Sequence, residues 1–402
     1  MGICGQSGGI CKLCEREKYT SIDAQFKNTK LLIKFNENQQ IKELNSFLQC
    51  LIHIKPLVNY FKYNFDKVKK REVYLSYHKI GKCLSDSFKD LIDKSWPNGL
   101  RKVNVEDPKD TFITVNTKEF SNMLYEIEPD YNTNQKSLIK VIIMRLHEEL
   151  NKVNNSKKQN IINEQNITNE NISKELAFKE YKNNFLKQYQ SVISDIFFGS
   201  YYTQSLCSIC QTYFFIFQPY SYGLYSLNQV YLHKTQTLSL GQNELYMNNN
   251  IFCANINEIN LFDCLYFDQQ IKFKFQQCKS CGNYAQFNFK NIIFSSPPVL
   301  TFIFNNDLVF PDINFFIAEQ INMNLFVEIK ENINYNLIGI IFITFPDHYI
   351  AYCKSPIDNR WYKYDDAIVE PQNNLNEILT TNGFPYMLFY KKAETKKIKV
   401  KK

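Results

Sequence analysis

Two short cysteine pairs constrain this chain more than anything else in it. Cys207-Ser208-Ile209-Cys210 and Cys278-Lys279-Ser280-Cys281 each form a C-x-x-C turn. Such a turn aims two thiolates at one point, and two turns complete a tetrahedral four-sulfur zinc site. The 67 residues between the pairs exceed the spacing of a compact finger. Each pair is therefore expected to cap a hairpin, with a β-rich excursion between them. A four-cysteine site leaves no open coordination position, so the zinc expected here is structural. The rival reading is four buried thiols without metal. The chain has 12 cysteines, and its start lacks a charged-then-apolar secretory pattern. A reducing compartment, cytoplasmic or nuclear, is thus the expectation, in which paired cysteines mean metal before disulfide.

The two halves of the sequence differ in texture. In the 40–60 segment Leu44, Phe47, Leu48 and Leu51 recur at helical spacing, predicting a helix that ends before Pro56. Leu138, Ile142, Leu146 and Leu150 form a second stripe, and a third helix is expected near Glu119. The 154–175 stretch is rich in Asn and poor in large apolar groups, and reads as a loop. Beyond about Phe185 come short aromatic and apolar runs. VYLHKTQTLSL, QIKFKFQQ, YAQFNFKNIIF, PVLTFIF and LIGIIFITF all read as strands. Helices followed by strands indicate an α+β architecture with segregated elements.

Charge excludes less than it first suggests. The chain carries 47 basic and 40 acidic residues. Seven of those lysines, against one glutamate, fall between Lys391 and Lys402. The body of the chain is near neutral, so no nucleic-acid partner is expected. No apolar run reaches the ~18 residues that span a bilayer. A membrane contact is expected only if Gly2 and Cys4 are acylated, and Gln6 stands where that motif prefers Ser or Thr. Cys4, Cys11 and Cys14 lack a fourth ligand for a separate zinc site.

The second chemical signal is HYIAYCKSPIDNRWYKYDD, from His348 to Asp366. A strand delivering a histidine, followed by a strand ending in carboxylates, is the orienting half of a nucleophilic triad. This block resembles the histidine box of ubiquitin-specific proteases, the ubiquitin carboxyl-terminal hydrolases. NSFLQCL at Asn45 to Leu51 resembles the helix after their catalytic cysteine, and LHEELN at Leu146 to Asn151 the end of their next helix. ISDIFFG before Cys207, the two C-x-x-C pairs, PPVLTFIF at Pro297 and PYMLFYKK at Pro385 follow in family order. The resemblance covers roughly Lys34 to Lys392. It implies a papain-like fold with a helical thumb (31–151), an Asn-rich insertion (152–179) and zinc-stapled fingers with a β-rich palm (180–392). A flexible arm (1–30) and a basic tail (393–402) flank that domain. It also implies ubiquitin or a ubiquitinated protein as partner, and His348 and Asp365 as triad members. Asp365 is preferred to Asp366 because strand alternation sends Asp366 to the other face.

The sequence departs from the family where the chemistry is decided. The family's nucleophilic cysteine stands three residues before the Asn of an Asn-Ser pair. Counting back from Asn45 reaches Lys42. Glu37 falls where the oxyanion-stabilising asparagine is expected, flanked by Asn36 and Asn38. The acidic box that grips ubiquitin's tail aligns with NQKSL, where Asn134 and Ser137 replace both carboxylates, and Asp347 replaces a glycine. A helix N-terminus favours a thiolate and opposes an ammonium. A lysine acyl-enzyme would moreover be an amide as stable as the bond it replaced. The expectation is a catalytically inactive binding protein in which His348 and Asp365 are retained relics. The alternatives are an active cysteine-type deubiquitinase whose nucleophile the gene model obscures, and a zinc-stapled module without ubiquitin affinity.

Overall fold

A computed structural model describes residues 32–35, 43–67, 83–96, 112–129, 138–153, 173–239, 255–305, 314–329, 333–344, 348–379 and 383–394. Lys42, Glu37, Asn36, Asn38, Asp347, the 134–137 segment and the cysteines at 4, 11 and 14 lie outside them. The helices are α1 (Leu44–Ile52), α2 (Lys55–Tyr63), α3 (Leu84–Ser95), α4 (Lys118–Ile127) and α5 (Leu138–Glu149). They continue with α6 (Lys174–Gln188), α7 (Val192–Phe197), α8 (Leu227–Ser239), α9 (Leu261–Asp268) and α10 (Leu375–Leu379). Among the described residues no helix is long and apolar enough to cross a membrane.

The described strands begin with β1 (Leu32–Phe35), β2 (Phe112–Val115), β3 (Gly199–Cys207), β4 (Tyr213–Tyr220), β5 (Gly223–Ser226) and β6 (Glu258–Asn260). Next come β7 (Lys272–Gln277), β8 (Tyr284–Ser295), β9 (Val299–Asn305), β10 (Asn314–Phe316) and β11 (Gln320–Asn322). The last are β12 (Asn334–Thr344), β13 (His348–Lys354), β14 (Trp361–Asp365), β15 (Ile368–Gln372) and β16 (Phe384–Lys392).

The chain forms two compact units. The first holds residues 1–152, 191–196 and 339–383. Helix α1 is buried on every side, from Leu44 to Ile52. Its polar residues are therefore bonded, as burial requires. Thr117 donates to Asn45 Oδ1 at 2.8 Å, and Ser46 donates to the Tyr349 carbonyl at 2.9 Å. The helix ends at Ile52, and Pro56 sits in the first turn of α2, where its missing N–H costs nothing. Helix α3 lacks a side-chain cap of its own. Glu149 at the end of α5 supplies one, accepting from the Leu84 and Ser85 backbone N–H groups at 3.0 and 2.8 Å and from Ser85 Oγ at 2.6 Å. The sheet of this unit runs antiparallel from the second half of β12 through β13 and β14 to β15. Strands β1 and β2 form a parallel pair in the helical half, so strands are not confined to the later sequence.

The second unit holds residues 153–190, 197–338 and 384–402. Its antiparallel sheet has the order β4-β3-β8-β7. Helix α6 lies over it through Phe178, whose ring is 4.2 Å from that of Phe294. That helix begins at Lys174, capped by the Ser173 side chain, so the Asn-rich loop read from the sequence stops short of its expected end. Strand β9 pairs antiparallel with β16 and parallel with β5.

One strand assignment is overturned. The described part of the VYLHKTQTLSL run, Val230 to Ser239, lies in helix α8 and is not a strand. Its buried residues Leu227, Val230, Lys234 and Thr237 repeat at three and four, the helical period. The Ser226 hydroxyl accepts from the Gln229 N–H at 3.2 Å and caps its start. Tyr, Thr and Val favoured a strand by composition, and the spacing of the apolar positions prevailed.

Candidate functional site

In the first unit β13 begins at His348, and its register with β12 runs unbroken to Cys353. Side chains therefore alternate strictly, with His348, Ile350 and Tyr352 on one face and Tyr349, Ala351 and Cys353 on the other. The β13–β14 register sets Ala351 opposite Tyr364 and Tyr352 opposite Lys363. Asp365 and Lys363 thus share the His348 face. His348 Nε2 lies 2.6 Å from Asp365 Oδ1. Lys363 Nζ lies 3.1 Å from Asp365 Oδ2 and 3.6 Å from Glu370.

The carboxylate of Asp365 is held from both sides. Burial pushes its pKa up, but hydrogen bonds from His348 and Lys363 outweigh burial and leave it below the ordinary carboxylate range. It stays anionic at neutral pH and fixes the orientation of a half-exposed imidazole. Asp366 departs from its expected place. Strand β14 ends at Asp365, and Asp366 takes a positive φ of 49°, which cancels the alternation. Its carboxylate lies within 4.8 Å of the donor atoms of His348 and Asp365.

The contacts of α1 fix its direction along β13. Ser46 reaches Tyr349, Cys50 Sγ lies 3.6 Å from Cys353 Sγ, and His53 Nε2 lies 3.1 Å from the Tyr364 hydroxyl. The start of the helix is therefore at the His348 end of the strand. The thiols described in this unit, Cys50, Cys83 and Cys353, are all buried. Cys353 lies five residues beyond His348 on the opposite face, roughly 16 Å away at ~3.3 Å per residue.

The second unit brings the two cysteine pairs together. The sulfur ligands of Cys207, Cys210, Cys278 and Cys281 all lie within 4.8 Å of one another. Each pair caps a hairpin with the same geometry. Gln211 N–H donates to the Cys207 carbonyl at 3.0 Å, and Gly282 N–H donates to that of Cys278 at 2.9 Å. Gln211 and Gly282 both turn left-handed, with φ of 57° and 72°. Cys210 Sγ and Cys278 Sγ are 3.7 Å apart. A tetrahedron of Zn–S bonds of ~2.3 Å has sulfurs about 3.8 Å apart, so the set fits zinc. Bonding to Thr212 holds the Cys210 thiol well below its usual pKa, while burial raises that of Cys278. Zinc would hold all four as thiolates and supply a covalent staple, with no part in chemistry. Phe287, Ala285 and Phe214 pack beside the cluster.

A histidine oriented by an aspartate at a strand start, beside the first turn of a buried helix, is the frame of a nucleophilic hydrolase. Comparison with known proteins defines it further. The ubiquitin carboxyl-terminal hydrolase family profile matches residues 44–390. The chain belongs to that family. Ubiquitin carboxyl-terminal hydrolase 12 of Saccharomyces cerevisiae is 28% identical over 184 residues, 44% of this chain and 14% of its own length. Ubiquitin carboxyl-terminal hydrolase 2 of Bos taurus is 23% identical over 378 residues, 87% of this chain and 53% of its own. The chain therefore spans about half or less of these relatives. Among solved structures, a SAGA DUB module bound to monoubiquitin superposes with a TM-score of 0.55 at 16% identity, over 96% of this chain and 76% of that one. A yeast SAGA DUB module also gives 0.55 at 16% identity, over 92% and 70%. The fold is that of the ubiquitin-specific protease domain.

Sequence reasoning did not reach Lys363, His53 or Tyr364. Lys363 was legible in principle, since alternation puts it two residues before Asp365 on the same face. The His53–Tyr364 bond joins residues 311 apart and has no local signature.

Proposed function

We propose that this chain is a catalytically inactive member of its family that binds ubiquitin or a ubiquitinated partner. The observation that carries the reading is Lys42 at the position three residues before Asn45, where the family has its cysteine. The family match begins at residue 44, beyond that position. The thiols described in the same unit are buried, and Cys353 faces away from His348. Without a thiolate no acyl-enzyme forms, and loss of a triad nucleophile leaves only about 10³–10⁴-fold over water. His348 and Asp365 then serve packing and hydrogen bonding. Cys207, Cys210, Cys278 and Cys281 hold one structural zinc ion.

Titration with ubiquitin by calorimetry tests the binding role. Saturable binding is expected, and no heat at 200 µM ubiquitin would leave only the zinc-stapled module. A second reading, an active cysteine-type deubiquitinase, is favoured by the intact 2.6 Å contact of His348 with Asp365. Resequencing the transcript across Phe35 to Asn45 tests it, since that reading requires a cysteine codon there.

A further inference from the structure

Strand β5, the end of α9 and the bases of β3, β8 and β9 enclose a cavity of about 270 Å³, wholly within the second unit. Its wall includes Tyr201, Tyr220, Tyr222, Tyr225, Phe302 and a single carboxylate, Asp268. No lysine, arginine or histidine is among the described residues that line it. Tyr225 lies 6.3 Å from Phe302, and Tyr201 lies 6.3 Å from Tyr220, ring to ring.

The cavity depends on glycine. A Cβ on Gly223 would come within 2.8 Å of the Tyr225 ring and 3.0 Å of the Phe302 ring, so a side chain there displaces the wall. A Cβ on Gly199 would meet the Tyr220 ring at 2.6 Å. The negative charge of Asp268 acts on both Tyr201 and Tyr225, so the carboxylate lies among the rings. Lys272, the cation whose charge reaches Asp268, sits over the Phe267 ring at 5.5 Å and does not line the cavity. Burial raises the Asp268 pKa, against smaller downward pulls from a hydrogen bond with Tyr225 and from the charge of Lys272.

We infer that this cavity is a binding site for an alkylammonium group. Tyrosine rings line the wall, an aromatic ring attracts a cation to its face, and Asp268 supplies a counter-charge in a partly desolvated wall. A neutral apolar guest would gain nothing from that carboxylate. An anion would meet repulsion. The same chemistry is offered by a free amine such as choline and by a lysine side chain of a protein, plain or methylated.

Ligand-observed NMR and calorimetry with the full, zinc-loaded chain test the inference. The probes are choline, its neutral isostere 3,3-dimethylbutan-1-ol, and N-acetyl-lysine methylamide with and without Nε-trimethylation. Choline or a lysine derivative is expected to bind at least ten times more tightly than the neutral isostere. Preference for choline identifies a free amine as the source, and preference for a lysine derivative identifies a protein side chain. Asp268→Asn and Tyr222→Ala should each weaken binding at least tenfold while zinc content and thermal midpoint hold. Should Asp268→Asn not fold, Tyr222→Ala and the isostere comparison decide. Equal binding of the neutral isostere, or no binding of any probe at 20 mM, overturns the inference.

Discussion

His53 ties α1 to the strand that carries Asp365, and its protonation should loosen that tie. The imidazole is buried, with Nδ1 2.7 Å from the Gln49 carbonyl and Nε2 3.1 Å from the Tyr364 hydroxyl. With Nδ1–H donating to the carbonyl, the neutral ring accepts from Tyr364, and a second proton removes that acceptor. Burial lowers the His53 pKa from 6.5 to about 4, against a smaller upward push from the Gln49 carbonyl. A base whose folded pKa lies below its unfolded value is protonated first in the unfolded chain. Its contribution to stability is whole above about pH 6.5 and is lost as the pH falls towards 4. At 1.36 kcal/mol per unit, a gap of about 2.5 units is worth about 3 kcal/mol, roughly 6–12 °C in the midpoint of a unit this size. Urea unfolding followed by Trp96, whose ring is 6.1 Å from His53, measures it from pH 7.5 to 4.5. His53→Gln should be less stable than wild type at pH 7.5, and the difference should shrink by most of 3 kcal/mol at pH 4.5. Parallel pH profiles for the two proteins would refute the reasoning.

Freshly purified reduced protein should contain about one equivalent of zinc by elemental analysis. Cys207→Ser should lower both that content and the thermal midpoint of the second unit, and less than half an equivalent in the wild type counts against the four-thiolate site. Glu149 is fully buried and bonded to Leu84, Ser85 and Arg145. Glu149→Ala should destabilise the first unit by about 1–3 kcal/mol in urea, because it removes the acceptor of two buried helix N–H groups and the carboxylate facing the part-buried Arg145. A loss below 1 kcal/mol would mean that the cap is replaced by water.

What the sequence disclosed follows from the range of the interactions involved. The α1–α2 boundary was readable because Pro56 cannot continue a helix, a rule confined to one turn. The meeting of two C-x-x-C turns 67 residues apart was readable because a metal site demands four ligands, whatever the spacing. The α8 error arose where strand-forming residue types sat on a helical spacing. Asp366 was misplaced because a periodicity argument assumes that the strand goes on, and a left-handed residue ended it. The pairing of His53 with Tyr364, and of Cys50 with Cys353, depends on how α1 lies across the sheet. That is a tertiary property, absent from any local pattern.

The proposed function requires that this ubiquitin-specific protease fold lack its nucleophile. Hydrolysis of a ubiquitin C-terminal fluorogenic substrate by the zinc-loaded wild-type chain addresses it directly, with His348→Ala and Lys42→Cys alongside. No release above buffer is expected from the wild type and none from Lys42→Cys, since Glu37 and the NQKSL segment would still differ from the family. Robust release by the wild type, abolished by His348→Ala, would contradict it.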